Sequence, residues 1–475
     1  MRMRTQGAAV VALLAAAFVA HAGVAQAATA PTAAETLGNQ HANLKGAVTS
    51  ANVHALRAAW FVRTAGPVSS TPLVSQGSVL FSDWSGRVWC VNAVSGKVVW
   101  KRHLETPDTT WAWYGLAGTG VVAGGVLVEV AVDGKAWGLD ASTGKTIWHQ
   151  YLGGDPDPTV MNPSDPNAKY VGNLTDLLYG DGLVYVGMSS CEEPLAEVDP
   201  LFVPTARGSV IALDPATGAV AWQTWLTPPG DTGVPVWSSF ALDASLGLLY
   251  TDTGNNYTSP ATPWSDAVLA LDATTGAPVW ETQLTAGDAW PATGPDADFG
   301  AGPQLFTAGV GATTVKLVGA MQKTGDFWAL DRSSGAVVWH TQVATGAKGS
   351  LGETSVGHGA LFAWAAGKPA TGTLRATIAA IARDTGAPIW RRTLAAARPI
   401  ASAGFLSRDV YCVGDNAGTI RAYRVSDGKV LWQGATPGHA AVCSSLWVAG
   451  RSLYVGVGMT AHSKVPYGLA AYRIP

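Results

Sequence analysis

Four stretches of this sequence interrupt an otherwise repetitive pattern, and each carries side chains able to do chemistry. SSCEEP places Glu192 and Glu193 in a Pro- and acid-rich loop that also holds Glu197 and Asp199. GVPVWSSFALD carries Trp237, and TGNNYTSP, shortly after it, carries Asn255. GDAWPATGPDADFGAGP holds Asp288, Asp296 and Asp298, and GAMQKTGDFWALD puts Lys323 where a strand would be expected to be inert. Carboxylate and amide oxygens are hard donors of the kind that suit Ca²⁺, and a lone Lys beside them can hold an anionic group. Taken singly, each residue has a plainer reading: Asn255 in a turn, Asp298 as a cap, Trp237 as packing, the acidic loop as solvated surface. Only an architecture that brings them together would make them a site.

That architecture is written in a repeat. Seven segments end in Trp100, Trp148, Trp222, Trp280, Trp339, Trp390 and Trp432, and each has a Gly four residues earlier, from Gly96 to Gly428. Asp140, Asp214, Asp272 and Asp331 stand eight before the Trp, with Asn92 in the first unit. An alternating apolar run before the Asp reads as a strand. D-x-x-(T/S)-G reads as a tight turn, because Asp bonds the backbone ahead and Gly supplies positive φ. The run ending in Trp is the returning strand, its indole buried between neighbouring sheets. Two further strand-like runs lie between units, so each repeat is a four-stranded propeller blade. Trp60 looks like an outer strand without its turn, and the C-terminal YGLAAYRIP like the strand before it. The reading is therefore all-β: an eight-bladed β-propeller of four-stranded blades over 28–475, its ring closed by pairing of the N- and C-terminal strands.

Composition narrows the function classes. Charged residues are 13% and hydrophobic residues 48% of the chain, too apolar for a disordered protein. A net charge of −3 without any basic block argues against nucleic acid as a partner. Residues 1–27 read as a signal peptide, with Arg2 and Arg4, a short apolar run and Ala25-Gln26-Ala27. The expected location is secreted or periplasmic, with no membrane anchor. The 4 Cys contain no C-x-x-C-H, so no covalently attached haem is encoded. Cys412 and Cys443 are read either as a pair or as buried free thiols. No Ser–His–Asp spacing for a hydrolase is legible.

The A-x-D-x-x-T-G-x-x-x-W repeat resembles that of the pyrroloquinoline quinone (PQQ) dehydrogenases. SSCEEP, VWSSFALD, TGNNYTSP, DADFGAGP and QKTGDFWALD are similar to the polyvinyl alcohol dehydrogenase branch of that family. The resemblance implies a PQQ- and Ca²⁺-dependent alcohol dehydrogenase acting on a small-molecule or polymeric alcohol. Electrons would pass to an external acceptor such as a cytochrome c. By the same resemblance, Asp298 is the catalytic base, and Glu192, Asn255 and Asp298 hold Ca²⁺ against the cofactor. Lys323 would contact the quinone oxygens, and Trp237 would stack on its flat ring. Gly300 stands where lanthanide-using relatives carry a second aspartate, which favours Ca²⁺. The chain departs from the family in having no two adjacent Cys. TWAWYGLAGTG stands where an arginine is expected, with Trp111, Trp113 and Tyr114 as candidate pocket walls, and KGSLGET replaces a Gly–Trp segment. The same repeat occurs in non-catalytic propellers, so the alternative is a scaffold that binds a protein or polymer.

Overall fold

The computed structural model describes residues 36–104, 115–152, 171–190, 192–193, 196, 201–291, 293–344, 352–367, 375–394, 403–458 and 465–475. The leader 1–27, the aromatic group Trp111, Trp113 and Tyr114, and 348–351 of KGSLGET lie outside the described residues, as do Cys191, Glu197 and Asp199.

Eight sheets form the ring, each built on four antiparallel strands; two of them gain a fifth strand at the inner edge, and in all but the last the four run in sequence order from the axis outward. Blade 1, for example, runs through Leu73–Ser75, Ser78–Asp83, Arg87–Asn92 and Val98–His103. Blades 2 to 7 follow, and their outermost strands carry Trp148, Trp222, Trp280, Trp339, Trp390 and Trp432. Blade 8 joins the two ends of the chain: outer strand Arg57–Arg63 pairs with Gly468–Arg473, with Trp60 opposite Ala471. Closure leaves each sheet with only short edges. The core lies between adjacent blades, as where Tyr185, Val210 and Trp222 of blade 3 meet Leu249, Leu269 and Leu271 of blade 4. Cys90, Cys412 and Cys443 are buried free thiols.

The repeat's turn works as its residue types dictate. Asp272 Oδ1 accepts the backbone N–H of Thr274 at 3.0 Å and of Thr275 at 2.8 Å, and Gly276 follows at φ +73°. The glycine has a second duty that local turn chemistry does not reveal. Each blade's Trp reaches across to the turn of the next blade. Trp280 Nε1 donates to the Arg332 carbonyl at 3.1 Å, and a Cβ on Gly335 would stand 2.5 Å from the Trp280 ring. The same indole-on-glycine contact joins Trp60 to Gly96, Trp100 to Gly144, Trp148 to Gly218, Trp222 to Gly276, Trp339 to Gly386 and Trp390 to Gly428. Trp432 instead donates to Leu56, beside the short helical turn Val53–Ala55 that stands in for blade 8's missing loop. Gly335→Ala, at φ +72°, combines a left-handed backbone penalty with a clash against Trp280. The expected cost is about 2–3 kcal/mol, read as a lowered urea midpoint. An unchanged midpoint would mean that the blades do not depend on this contact.

Ahead of the ring, residues 36–46 form a strap that no repeat announces. Its carbonyls accept inner-strand N–H groups from four successive blades: Leu37 from Leu242, Gly38 from Leu305, Gln40 from Val356 and His41 from Leu406. Ala42–Asn43 then adds a parallel strand to the inner edge of blade 7. The strap closes off the inner strands and carries His41, fully buried, into the middle of the ring.

Candidate functional site

In every blade the inner strand leaves one face of the ring and the second strand returns to it, so residues before the first and after the second gather there. Trp237 precedes the inner strand of blade 4, Ala241–Asp243, and Asn255 follows its second strand, Leu248–Asp252. Asp298 immediately precedes the inner strand of blade 5, Phe299–Val310, and Lys323 immediately follows its second strand, Thr313–Gln322. Glu192 follows the second strand of blade 3, Leu183–Ser190. The inner strand of blade 5 shifts register between Phe299 and Ala301 and again before Gln304. Such bulges re-aim neighbouring side chains, and here the neighbour is Asp298.

Three of the five predicted residues touch. Trp237 Nε1 donates to Asp298 Oδ2 at 2.9 Å. Lys323 Nζ lies 2.6 Å from Asp298 Oδ1, 2.7 Å from Asp296 Oδ1 and 4.8 Å from the Trp237 ring centre. Asp298 is fully buried, while Trp237 keeps part of its surface open. Burial pushes the Asp298 carboxyl above its ordinary value, and the Lys323 ammonium works against that rise. Burial alone would lower the Lys323 ammonium, but Asp298, Glu193 and Asp296 outweigh it and hold the group raised. The lysine therefore stays charged.

Asn255 is fully buried, and its amide nitrogen donates to the Trp290 carbonyl at 2.6 Å and the Asn256 carbonyl at 2.9 Å. Two carbonyl partners fix which end is nitrogen. The other end, Oδ1, is a buried acceptor without a hydrogen-bond donor.

Glu192 is also fully buried, but its carboxylate is already engaged. It accepts from Thr205 N at 2.7 Å, Ala206 N at 2.6 Å and Thr205 Oγ1 at 3.0 Å. Its neighbour Glu193 is the glutamate whose charge acts on both Lys323 and Tyr257. Asp288, singled out in the same loop as Asp298, shapes that loop by accepting from Ala297 N at 2.6 Å.

Asp266 has no signature in the sequence. The ladder between Leu248–Asp252 and Ala267–Asp272 pairs Asp252 with Val268, and Asp266, the residue just before the second strand, turns at φ +51° with its N–H bonded to Gly254 O at 3.3 Å. Gly254 and Asp266 therefore stand side by side where the ladder ends. Gly254 has no side chain there; a Cβ would come 3.2 Å from Asp298 Oδ2. Asp298 thus leans over the glycine beside Asp266. Asp266 is fully buried, and neither carboxylate oxygen has a hydrogen-bond partner. Burial, then the Asp298 and Asp288 charges, push its carboxyl up to about 9. Among the described residues no three His, Cys, Asp or Glu side chains form a ready-made metal cage. A cation here would need a mixed set that includes the Asn255 oxygen.

Comparisons with known proteins bear on the fold and the family. Residues 224–355 match the family model described as the glucose/ethanol/alcohol dehydrogenase beta-propeller domain. Residues 44–233 and 323–463 match that of the outer membrane protein assembly factor BamB, a PQQ-repeat propeller. The chain is 28% identical to a polyvinylalcohol dehydrogenase of Sphingopyxis sp. (strain 113P3), over 90% of this chain and 70% of that protein. It is 27% identical to a polyvinylalcohol dehydrogenase of Pseudomonas sp., over 81% of this chain and 64% of the relative. In fold it resembles the crystal structure of quinohemoprotein alcohol dehydrogenase from Comamonas testosteroni, with TM-score 0.78 at 18% identity, covering 94% of this chain and 80% of that one. No helix among the described residues is long and apolar enough to cross a membrane. With the eight-bladed ring, the Trp–Gly repeat and these matches together, the chain belongs to the family of PQQ-repeat propellers, with 224–355 matching the dehydrogenase model of that family.

Proposed function

We propose that this protein is an exported alcohol dehydrogenase that works with PQQ and Ca²⁺ and hands electrons to an external acceptor. The observation that carries the reading is the contact group of Trp237, Asp298 and Lys323 on one face of the ring. The distribution of the family matches supports it. The BamB-type model matches on either side of 234–322, and the dehydrogenase model matches across that gap. Trp237, Asn255 and Asp298 all lie inside it. A scaffold would have no need of a buried carboxylate held between an indole N–H and an ammonium.

The residues present fit the two groups. Asn255 Oδ1 is a buried acceptor awaiting a positive partner, and with Asp298 it offers hard oxygens for Ca²⁺. Glu192, just past the second strand of the neighbouring blade, is proposed as a further ligand. Trp237 offers a partly open indole for a flat ring, and Lys323 a charge for its oxygens. When bound, the quinone supplies the two-electron acceptor and the cation the Lewis acid. The chain itself supplies the base. Asp298 would take the alcohol's hydroxyl proton on a carboxylate oxygen. Trp237 N–H fixes the rotation of that carboxylate, and Lys323 offsets the burial that would otherwise keep it protonated. Substrate size and the acceptor's identity are left to the face above the site. Polyvinyl alcohol, the substrate in the names of the two relatives, is the polymer to try beside simple secondary alcohols.

The test is a titration of purified protein with PQQ, with and without Ca²⁺, followed by quinone absorbance and by dye reduction with alcohols. One calcium-dependent site with dye reduction is the expected result. Absence of PQQ binding at every calcium concentration would overturn the enzyme reading in favour of a scaffold.

A further inference from the structure

We propose that Asp266 is a direct ligand of the same hard cation as Asn255 and Asp298. The inference rests on the calcium reading above and adds a residue to it. A fully buried carboxylate with both oxygens unpartnered is costly to leave as it stands. Asp266 is in that state; its N–H is bonded to Gly254 O, and a Cβ on Gly254 would stand 3.2 Å from Asp298 Oδ2. One residue past Gly254, Asn255 Oδ1 is also buried and without a donor. Acceptor oxygens thus gather around one glycine, and among the described residues Lys323, the ammonium beside them, is shared between Asp296 and Asp298. A divalent cation satisfies such a set, because it takes six to eight oxygens in flexible geometry. Glu192 gives part of its capacity to the 205–206 backbone, so a second aspartate is what this chain offers in addition. The backbone agrees with a fixed role: Asp266 sits at φ +51°, a left-handed conformation that Asp tolerates better than most residues.

The experiment uses metal-stripped full-length protein and Ca²⁺ alone, without PQQ or substrate, read by calorimetry. Terbium luminescence sensitised by Trp237 provides an independent probe. Wild type is expected to bind one Ca²⁺ and to unfold at a higher temperature when it is added. Asp266→Asn is expected to weaken Ca²⁺ binding at least tenfold and to lose most of that thermal gain. In EDTA the variant should be no less stable than wild type, because it removes one of several crowded carboxyls. Asp266→Gly, which suits positive φ, provides a second folded variant should the amide be poorly tolerated. Wild-type affinity in either variant would overturn the proposal, as would destabilisation of equal size in EDTA and in Ca²⁺. If wild type itself binds no Ca²⁺, the calcium reading fails, and the role of Asp266 fails with it.

Discussion

Asp298→Asn is expected to reduce kcat for alcohol oxidation by about 10²–10⁴-fold, the span of a lost general base, while the propeller stays folded. The carboxylate has no spare orientation. One oxygen accepts from Trp237 Nε1 and the other faces Lys323 Nζ, so both neighbours are donors. An amide placed there must turn its NH₂ toward one of them, and it cannot accept the hydroxyl proton in either pose. The fold should tolerate the change because the loop's shape is set elsewhere, by Asp288 accepting from Ala297 N and by Lys323 N donating to the Asp298 carbonyl at 3.0 Å. The measurement is steady-state kinetics with PQQ and Ca²⁺, alongside thermal unfolding of both proteins. Turnover above a tenth of wild type would move the base to another carboxylate, with Asp296 and Glu193 the first to examine. A fall in activity matched by a large drop in unfolding temperature would mean that Asp298 is structural.

Lys323 bridges Asp296 and Asp298 and lies over the Trp237 ring. Among the described residues, several carboxyls share that ammonium, which leaves this face of the ring short of positive charge. That deficit is the physical reason to expect cation binding here, and it does not depend on any relative.

The ring was legible because its period is carried by side chains. Trp and Gly recur at fixed spacing since seven of the eight indoles sit on the next blade's glycine, and that contact repeats once per blade. The strap was not legible for the opposite reason. TLGNQHANLKG has no apolar alternation, and much of its hold on blades 4 to 7 is through backbone carbonyls, which any sequence provides, joined by the Asn39 and Gln40 amides donating to the Pro303 and Leu305 carbonyls. The site was legible where a residue interrupts the repeat, as Trp237, Asn255, Asp298 and Lys323 do. It was not legible where register decides. Asp266 opens DAVLALD like any strand residue, and only the fold makes it a buried turn residue bonded to Gly254. Spacing also cannot show that the fold ties Glu192 to the 205–206 backbone while the charge of the adjacent Glu193 acts on Lys323.

His41→Ala is expected to cost about 3–5 kcal/mol at neutral pH, the range for removing one partner of a buried ion pair. The residue two places before the inner strand is Thr71, Thr119, Asp176, Ser239, Glu353, Ala403 and Ser445 in blades 1, 2, 3, 4, 6, 7 and 8. This layer around the axis has two acids, on blades 3 and 6, and the strap drops His41 between them. His41 Nε2 lies against a Glu353 carboxylate oxygen. Burial would raise the Glu353 carboxyl, but the histidine outweighs it and holds the group below its ordinary value. Asp176 is pushed up to about 6 by burial and by Glu353. A carboxyl with a lowered folded-state pKa contributes stability above its unfolded value, and that contribution is lost as pH falls through the lowered one. Without His41 both acids shift up, so the variant gains more stability on acidification than wild type, in which Asp176 alone is raised and the Glu353 contribution falls away. Denaturant unfolding at pH 7 and pH 4 should therefore show a wide gap that narrows at the lower pH. A gap of constant width would assign His41 to packing alone. A gap near zero at pH 7 would mean that the strap is held by its backbone bonds to blades 4 to 7, with the buried pair adding nothing.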